Sequence, residues 1–284
     1  MKQFIKYTAI LGAVLSILGF GTAWAAKING GDWRRDDIWA ASFSIPRSEG
    51  KHHWDWDEDY EIHVETVSQD DYTLNVPAAK NLNLKLEAGE IVVTTGEVSD
   101  ISIICDKPEK LEDCLKIYKE EDEDELEFYV KGKVKKDGSY PKVTIVIPAG
   151  YQFHEVEISV GAGSIEFTGM NAQDLNVEVA AGNATIQEAV VSDADFECVT
   201  GNISYSGTIQ GDVEGESAMG NISLILMQKE SDFNYELEGV GGSIRIGENE
   251  FGGLGFERNA NNNTLQDMDL HCVTGSIQVD FTGM

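Results

Sequence analysis

The chain has 284 residues, 50 of them acidic and 21 basic, for a formal net charge of -29 at pH 7. So negative a surface repels phosphate backbones and anionic headgroups, since nucleic-acid binding depends on Lys and Arg displacing counterions; nucleic acid is excluded as a partner, and cations, cationic peptides and neutral glycans remain. The length allows one large β domain or two smaller ones, each with room for a core.

At the N-terminus, Lys2 and Lys6 precede an uncharged run from Tyr7 to Ala26. As a helix its twenty residues would span roughly 30 Å, the thickness of a bilayer core. Residues 1–26 are therefore expected to target the membrane, as an uncleaved signal anchor or as a signal peptide cut near Ala25, where Ala23-Trp24-Ala25 has the A-x-A form. Either way the rest is exported, and a single-pass membrane protein with an extracytoplasmic body is the favoured arrangement. Residues 27–60 carry no sustained period and read as an acidic juxtamembrane linker. Near its end His52, His53, Asp55 and Asp57, with His63 just beyond, mix imidazole and carboxylate as a divalent metal site would. An acidic linker that happens to hold histidines is the competing reading, and an EF-hand is ruled out because Tyr60 stands where that loop needs glycine.

From Glu61 to Met284 the pattern is alternation. Short strands are expected around Ile62, Val64 and Tyr72 to Val76, then at Leu82, Leu84 and Leu86 with period two. A hairpin follows, with Leu115 and Ile117 on one arm, Leu126, Phe128 and Val130 on the other, and the acidic stretch Glu120 to Glu125 as a solvated tip. Of the four cysteines, Cys105 and Cys114 flank a short polar segment that a disulfide could close, a pairing left open.

Beyond the hairpin the sequence repeats. Gly163, Gly182, Gly201 and Gly220 lie 19 residues apart, each followed by Ser or Asn; Gly242 and Gly275 continue the series at wider spacing, and Gly89 precedes it. Two positions after these glycines stand Ile91, Ile165, Ala184, Ile203, Ile222, Ile244 and Ile277, and apolar pairs such as Val156 and Ile158 lie seven and five positions before them. Each unit thus has two amphipathic strands joined at a glycine corner, where a positive φ is tolerated. About five buried side chains per unit are too few to offset the entropy of ordering it, so units must stack and share a core. The expected fold is all-β, a parallel β-solenoid or β-roll of roughly 19-residue repeats, with a β-sandwich of antiparallel hairpins as the alternative. In a stack, Cys198 and Cys272 share a column three coils apart in sequence order, roughly 14 Å at 4.8 Å per coil, too far for a disulfide.

The run from Val143 to Ile165, with Val-Thr-Ile-Val-Ile-Pro-Ala-Gly and Gly-Ala-Gly-Ser-Ile, and the ending from Gly242 to Ile277 resemble the bacterial putative-adhesin family of β-strand-repeat domains of unknown function. The resemblance covers roughly Glu61 to Met284 and implies a β-helix-like stack in an exported, often membrane-tethered protein; it brings no catalytic residues.

Chemistry is sparse. Gly161-Ala162-Gly163 lacks the third glycine of a dinucleotide loop, and Ser217 sits in a segment one residue too long for a nucleophile elbow. No catalytic or cofactor-binding residue is expected. Between Val143 and Gln228 there is no Lys or Arg, while Glu155, Glu157, Glu166, Glu178, Asp193, Asp195, Glu197, Glu214 and Glu216 fall mainly at outward positions. Divalent cations would relieve their repulsion, although a merely soluble exported surface is the favoured reading. The functional expectation is a non-enzymatic envelope scaffold or adhesin-type binding module, tied to the cell membrane and facing a glycan or an envelope protein. An accessory protein in envelope-stress sensing and a polysaccharide-processing β-helix enzyme are the alternatives.

Overall fold

The computed structural model describes residues 73–105, 115–120, 124–130 and 142–283. The expected N-terminal helix, the linker with His52, His53, Asp55, Asp57 and His63, and Cys114 lie outside the described residues. Among those described, no helix is long and apolar enough to cross a membrane.

Strand follows strand in chain order: β1 (Thr73–Val76), β2 (Asn81–Gly96), β3 (Ile101–Cys105), β4 (Leu115–Glu120), β5 (Glu125–Val130), β6 (Lys142–Pro148), β7 (Phe153–Thr168), β8 (Ala172–Val179), β9 (Asn183–Val191) and β10 (Asp193–Cys198). The second half holds β11 (Asn202–Ile209), β12 (Val213–Ser217), β13 (Asn221–Leu226), β14 (Phe233–Gly239), β15 (Ser243–Ile246), β16 (Asn249–Gly252), β17 (Phe256–Ala260), β18 (Gln266–Cys272) and β19 (Ser276–Phe281). Val, Ile, Leu and Phe alternate with polar residues, as in β11, whose residues run exposed then buried from Asn202 on.

The strands form two ladders, one before and one after each corner. In the first, β5, β2, β7, β8, β10, β12, β18 and β14 pair in parallel in that order. In the second the parallel order is β6, β2, β7, β9, β11, β13, β19 and β15. The long strands β2 and β7 run through their corners and belong to both. Like residues stack as the repeat predicts: Ile165, Ala184, Ile203, Ile222 and Ile277 occupy one column and are all buried. The body is thus solenoid-like, with parallel ladders where an antiparallel sandwich would have hairpins. Among the described residues antiparallel strands occur only at its two ends, where β4, β3 and β1 close one end and β17 and β16 the other. They cover edges that would otherwise recruit another chain.

Two details depart from the sequence reading. The coils do not stack in chain order: β5 and β6 lie outside β2, and the final pair β18 and β19 is inserted between the β12/β13 coil and the β14/β15 coil. Cys198 and Cys272 are consequently two ladder steps apart through Ser217, not three. At about 4.8 Å per step that is roughly 10 Å, still beyond disulfide reach, and both are buried free thiols. The corner glycines also have a different cause. Gly89 and Gly163 do have positive φ, at 136° and 110°, but Gly182, Gly201, Gly220, Gly242 and Gly275 do not. What they share is crowding: a Cβ on Gly182 would stand 2.6 Å from the Gly163 carbonyl oxygen and 2.5 Å from Val160 Cγ1. The same clash with the neighbouring corner's carbonyl recurs at Gly201, Gly220, Gly275 and Gly242.

Candidate functional site

With the apolar side chains turned inward, each ladder presents its alternate residues outward, and the two outward faces differ in chemistry. On the first ladder the rows are acidic. One runs Glu178, Glu197, Glu216, His271, Glu238, Glu257 from β8 to β17. Beside it run Asp195, Glu214, Asp269 and Glu236. A third row, Asp174, Asp193, Asp212 and Asp267, stands where the strands begin, and part of its role is structural. The Asp212 backbone N–H donates to Asp193 Oδ1 at 2.7 Å, and the Asp267 N–H donates to Asp212 Oδ1 at 2.8 Å. Each carboxylate thus satisfies an amide of the next coil.

Such crowding alters ionisation. Burial raises the Asp195 carboxyl first, and the charges of Glu197, Glu214, Glu216 and Glu178 push it further, to about 7. His271 is the one basic group in its row. Its Nε2 lies 2.9 Å from Asp269 Oδ1 and its Nδ1 3.7 Å from Glu238 Oε2. The adjacent Asp269 carboxylate first, then the charges of Glu216 and Glu238, raise the imidazole above its ordinary value against the effect of burial, although the ring N–H is not aligned for a hydrogen bond to Asp269 Oδ1. Toward the other end of this face, Lys85 pairs with Glu127 at 2.6 Å, and the buried Asn83 amide donates to Glu157 at 2.7 Å.

On the second ladder the first two outward rows of β9, β11, β13 and β19 are hydroxyls and amides, while the third, Gln187, Ser206, Ile225 and Asp280, carries an exposed isoleucine and an aspartate paired with Arg245. Asn183, Asn202, Asn221 and Ser276 form one row, tied by side-chain hydrogen bonds: Asn202 Nδ2 to Asn183 Oδ1 at 2.8 Å, Asn221 Nδ2 to Asn202 Oδ1 at 2.9 Å, and Ser276 Oγ to Asn221 Oδ1 at 2.6 Å. The next row is Thr185, Ser204, Ser223 and Gln278. Neither β11 nor β13 contains a charged residue.

Of the acidic residues singled out in the sequence, Glu155, Glu157, Glu178, Asp193, Asp195, Glu197, Glu214 and Glu216 stand on the first ladder and Glu166 on the second. The corner glycines line up in a spine, with Gly89, Gly163, Gly182, Gly201, Gly220, Gly275 and Gly242 as its spatial order. Among the described residues one group of carboxylates could hold a divalent cation, with oxygens of Glu236, Glu238 and Glu257 within 4.8 Å of one another near the surface, and none of the three is among the candidates drawn from the sequence. The neutral rows and His271 were missed. Their signal was present in the outward positions one and three residues after each glycine, which are mostly Asn, Ser and Thr, and in a histidine where other units carry Glu.

The Toastrack DUF4097 family model matches residues 61–280. Among curated proteins nothing matches significantly. Solved structures with a similar course of chain include a putative cell adhesion protein from Clostridium sporogenes ATCC 15579, with 16% identity over 74% of this chain and 97% of that one and a TM-score of 0.43. A putative adhesin from Bacteroides fragilis NCTC 9343 has 15% identity over 75% and 98% of the two chains and a TM-score of 0.41. The match over residues 61–280 spans the whole stack and its end strands, and the chain belongs to the Toastrack DUF4097 family.

Proposed function

We propose that this protein is a non-enzymatic binding module of the cell envelope, of the adhesin type, held outside the membrane by its N-terminal segment and docking neutral glycans on the outward face of β9, β11, β13 and β19. The observation that carries the reading is the segregation of charge. In a chain of net charge -29, the acidic rows gather on one ladder while β11 and β13 of the other hold no charge. Hydroxyl and amide groups repeated at about 4.8 Å can exchange hydrogen bonds with sugar hydroxyls without stripping water from an ion. Each contact is weak, and a repeating ligand on a repeating face gains by engaging several at once. The acidic ladder, turned elsewhere, keeps the module soluble and away from anionic surfaces.

A glycan array probed with the full chain tests this. Retention of neutral polysaccharide, lost in Ser204→Arg/Ser223→Arg and kept in Glu197→Gln/Glu216→Gln, is the expected result. Loss in the acidic-face variant alone would overturn the docking face, and release of oligosaccharide would favour a polysaccharide-processing enzyme. A single protein adduct on crosslinking in membranes, without glycan retention, would favour the envelope-stress accessory reading.

A further inference from the structure

The uncharged part of the second ladder has a definite length. Along its second outward row Thr185, Ser204, Ser223 and Gln278 succeed one another, and the row meets charge at both ends. Glu166 of β7 stands beside Thr185, and Arg245 of β15 beside Gln278. Arg245 is itself ion-paired with Asp280 at 2.8 Å. The neutral row is therefore four positions and three ladder steps long, roughly 14 Å at about 4.8 Å per step.

The first row keeps those steps regular. Asn202 donates to Asn183, Asn221 to Asn202, and Ser276 to Asn221, so side-chain bonds hold successive coils in line. Asn202 and Asn221 each give one N–H to this chain of bonds and accept one hydrogen at the amide oxygen. Each keeps a second N–H and a second lone pair for a ligand, a donor and an acceptor repeated once per coil. On the far side of Ser223 the exposed Ile225 and, just beyond the strand, Met227 add apolar surface to the same side of the sheet. Pyranose rings present the matching pair of surfaces, hydroxyl edges and apolar C–H faces.

We propose, building on the glycan-docking reading, that the ligand of this face is an extended, equatorially linked neutral polysaccharide running along the stack with one pyranose on each of β9, β11, β13 and β19. Such a chain advances by nearly one strand spacing per sugar, so successive rings meet equivalent groups: Asn183 and Thr185, Asn202 and Ser204, Asn221 and Ser223, then Ser276 and Gln278. An α-linked chain coils away from a straight row and reaches it with only some of its sugars. Charge sets both ends, because Glu166 and the Arg245–Asp280 pair hold water that a sugar hydroxyl would have to displace. Each contact is weak, and affinity accumulates as the coils are engaged together.

Isothermal titration of the full chain with neutral oligosaccharides of two to six units tests this, using β-1,4-linked series of glucose, mannose and N-acetylglucosamine and an α-1,4-linked glucose series. At least one β-1,4-linked series is expected to gain several-fold in affinity with each unit up to four and little beyond. At four units it should exceed the α-linked series at least tenfold. Thr185→Arg and Gln278→Lys each carry charge one coil further into the row, and each should move the plateau from four units to three; either variant suffices if the other fails to fold. An α-linked series that binds as tightly, affinity flat beyond two units, or a plateau unmoved in every variant that folds would overturn the proposal. So would absence of binding by all the β-1,4-linked series. In that case retention of another neutral polymer on the glycan array leaves the docking face standing without this ligand, and a blank array removes both.

Discussion

Replacing Gly182 by alanine tests the crowding of the corner spine. The added Cβ would lie 2.6 Å from the Gly163 carbonyl oxygen and 2.5 Å from Val160 Cγ1, where real Cβ contacts begin at about 3.0 Å. Val160 is buried at 2% exposure, so its methyl has no free space to move into. The coils must instead separate by about half an ångström at the corner. That strains the hydrogen bonds bracketing it, from Ala181 N–H to the Gly161 carbonyl at 3.0 Å and from Asn202 N–H to the Gly182 carbonyl at 3.0 Å. Overpacking costs about 1–3 kcal/mol and weakened ladder bonds about 1 kcal/mol more, giving roughly 2–4 kcal/mol in all. For a domain of this size that lowers the melting temperature by roughly 5–15 °C, read by circular dichroism. Gly241→Ala is the control, because its Cβ would meet nothing closer than 3.5 Å and should be neutral within about 1 kcal/mol. Equal melting temperatures for the two variants would refute the reasoning.

Asp195→Asn should raise stability at neutral pH and above and remove the decline that the wild type shows as pH rises from the ordinary carboxylate range to about 7, since the raised carboxyl destabilises the fold once ionised; urea midpoints at about pH 4.5 and 7.5 check this. Asn202→Ala breaks the amide row on both sides and should cost about 1 kcal/mol by the same denaturation assay, because both bonds are exposed. Cys198 and Cys272 should resist alkylation in the native protein and react only on unfolding, as burial raises both thiols, Cys198 to about 11. A mass-spectrometric count of labelled peptides with and without urea decides that.

The alternation and the 19-residue interval made the columns legible: Leu82, Val156 and Leu175 are neighbours, as their shared offset from a glycine implies. The unit before Gly220 has Val213 and then Gly215 where its neighbours carry two apolar side chains. Gly215 leaves room that Leu270 of the inserted strand fills, with Leu270 Cδ2 2.8 Å from where a Cβ would stand. Spatial order was not legible. Any coil of the right period can lie on any other, and whether β18 pairs with β12 or stacks beyond β14 is decided by the excursion through β16 and β17, which has no counterpart in the period. β5 and β6 escaped for a related reason, since they stack on β2 outside the 19-residue interval. Nor could spacing separate the two causes of a conserved-looking corner, because crowding and positive φ both select glycine. The two chemical faces depend on combining outward positions across coils, which requires the register first.

The neutral face rests on the inserted position of β18 and β19, and one pair of engineered disulfides tests it. Ser223 of β13 is paired with Gln278 of β19, and Gln278 in turn with Arg245 of β15. Ser223→Cys/Gln278→Cys should therefore crosslink in the native chain, with Cα atoms about 5 Å apart, and Ser223→Cys/Arg245→Cys, at about twice that distance, should not. A linked peptide in the second variant and none in the first would place the coils in chain order and contradict the account.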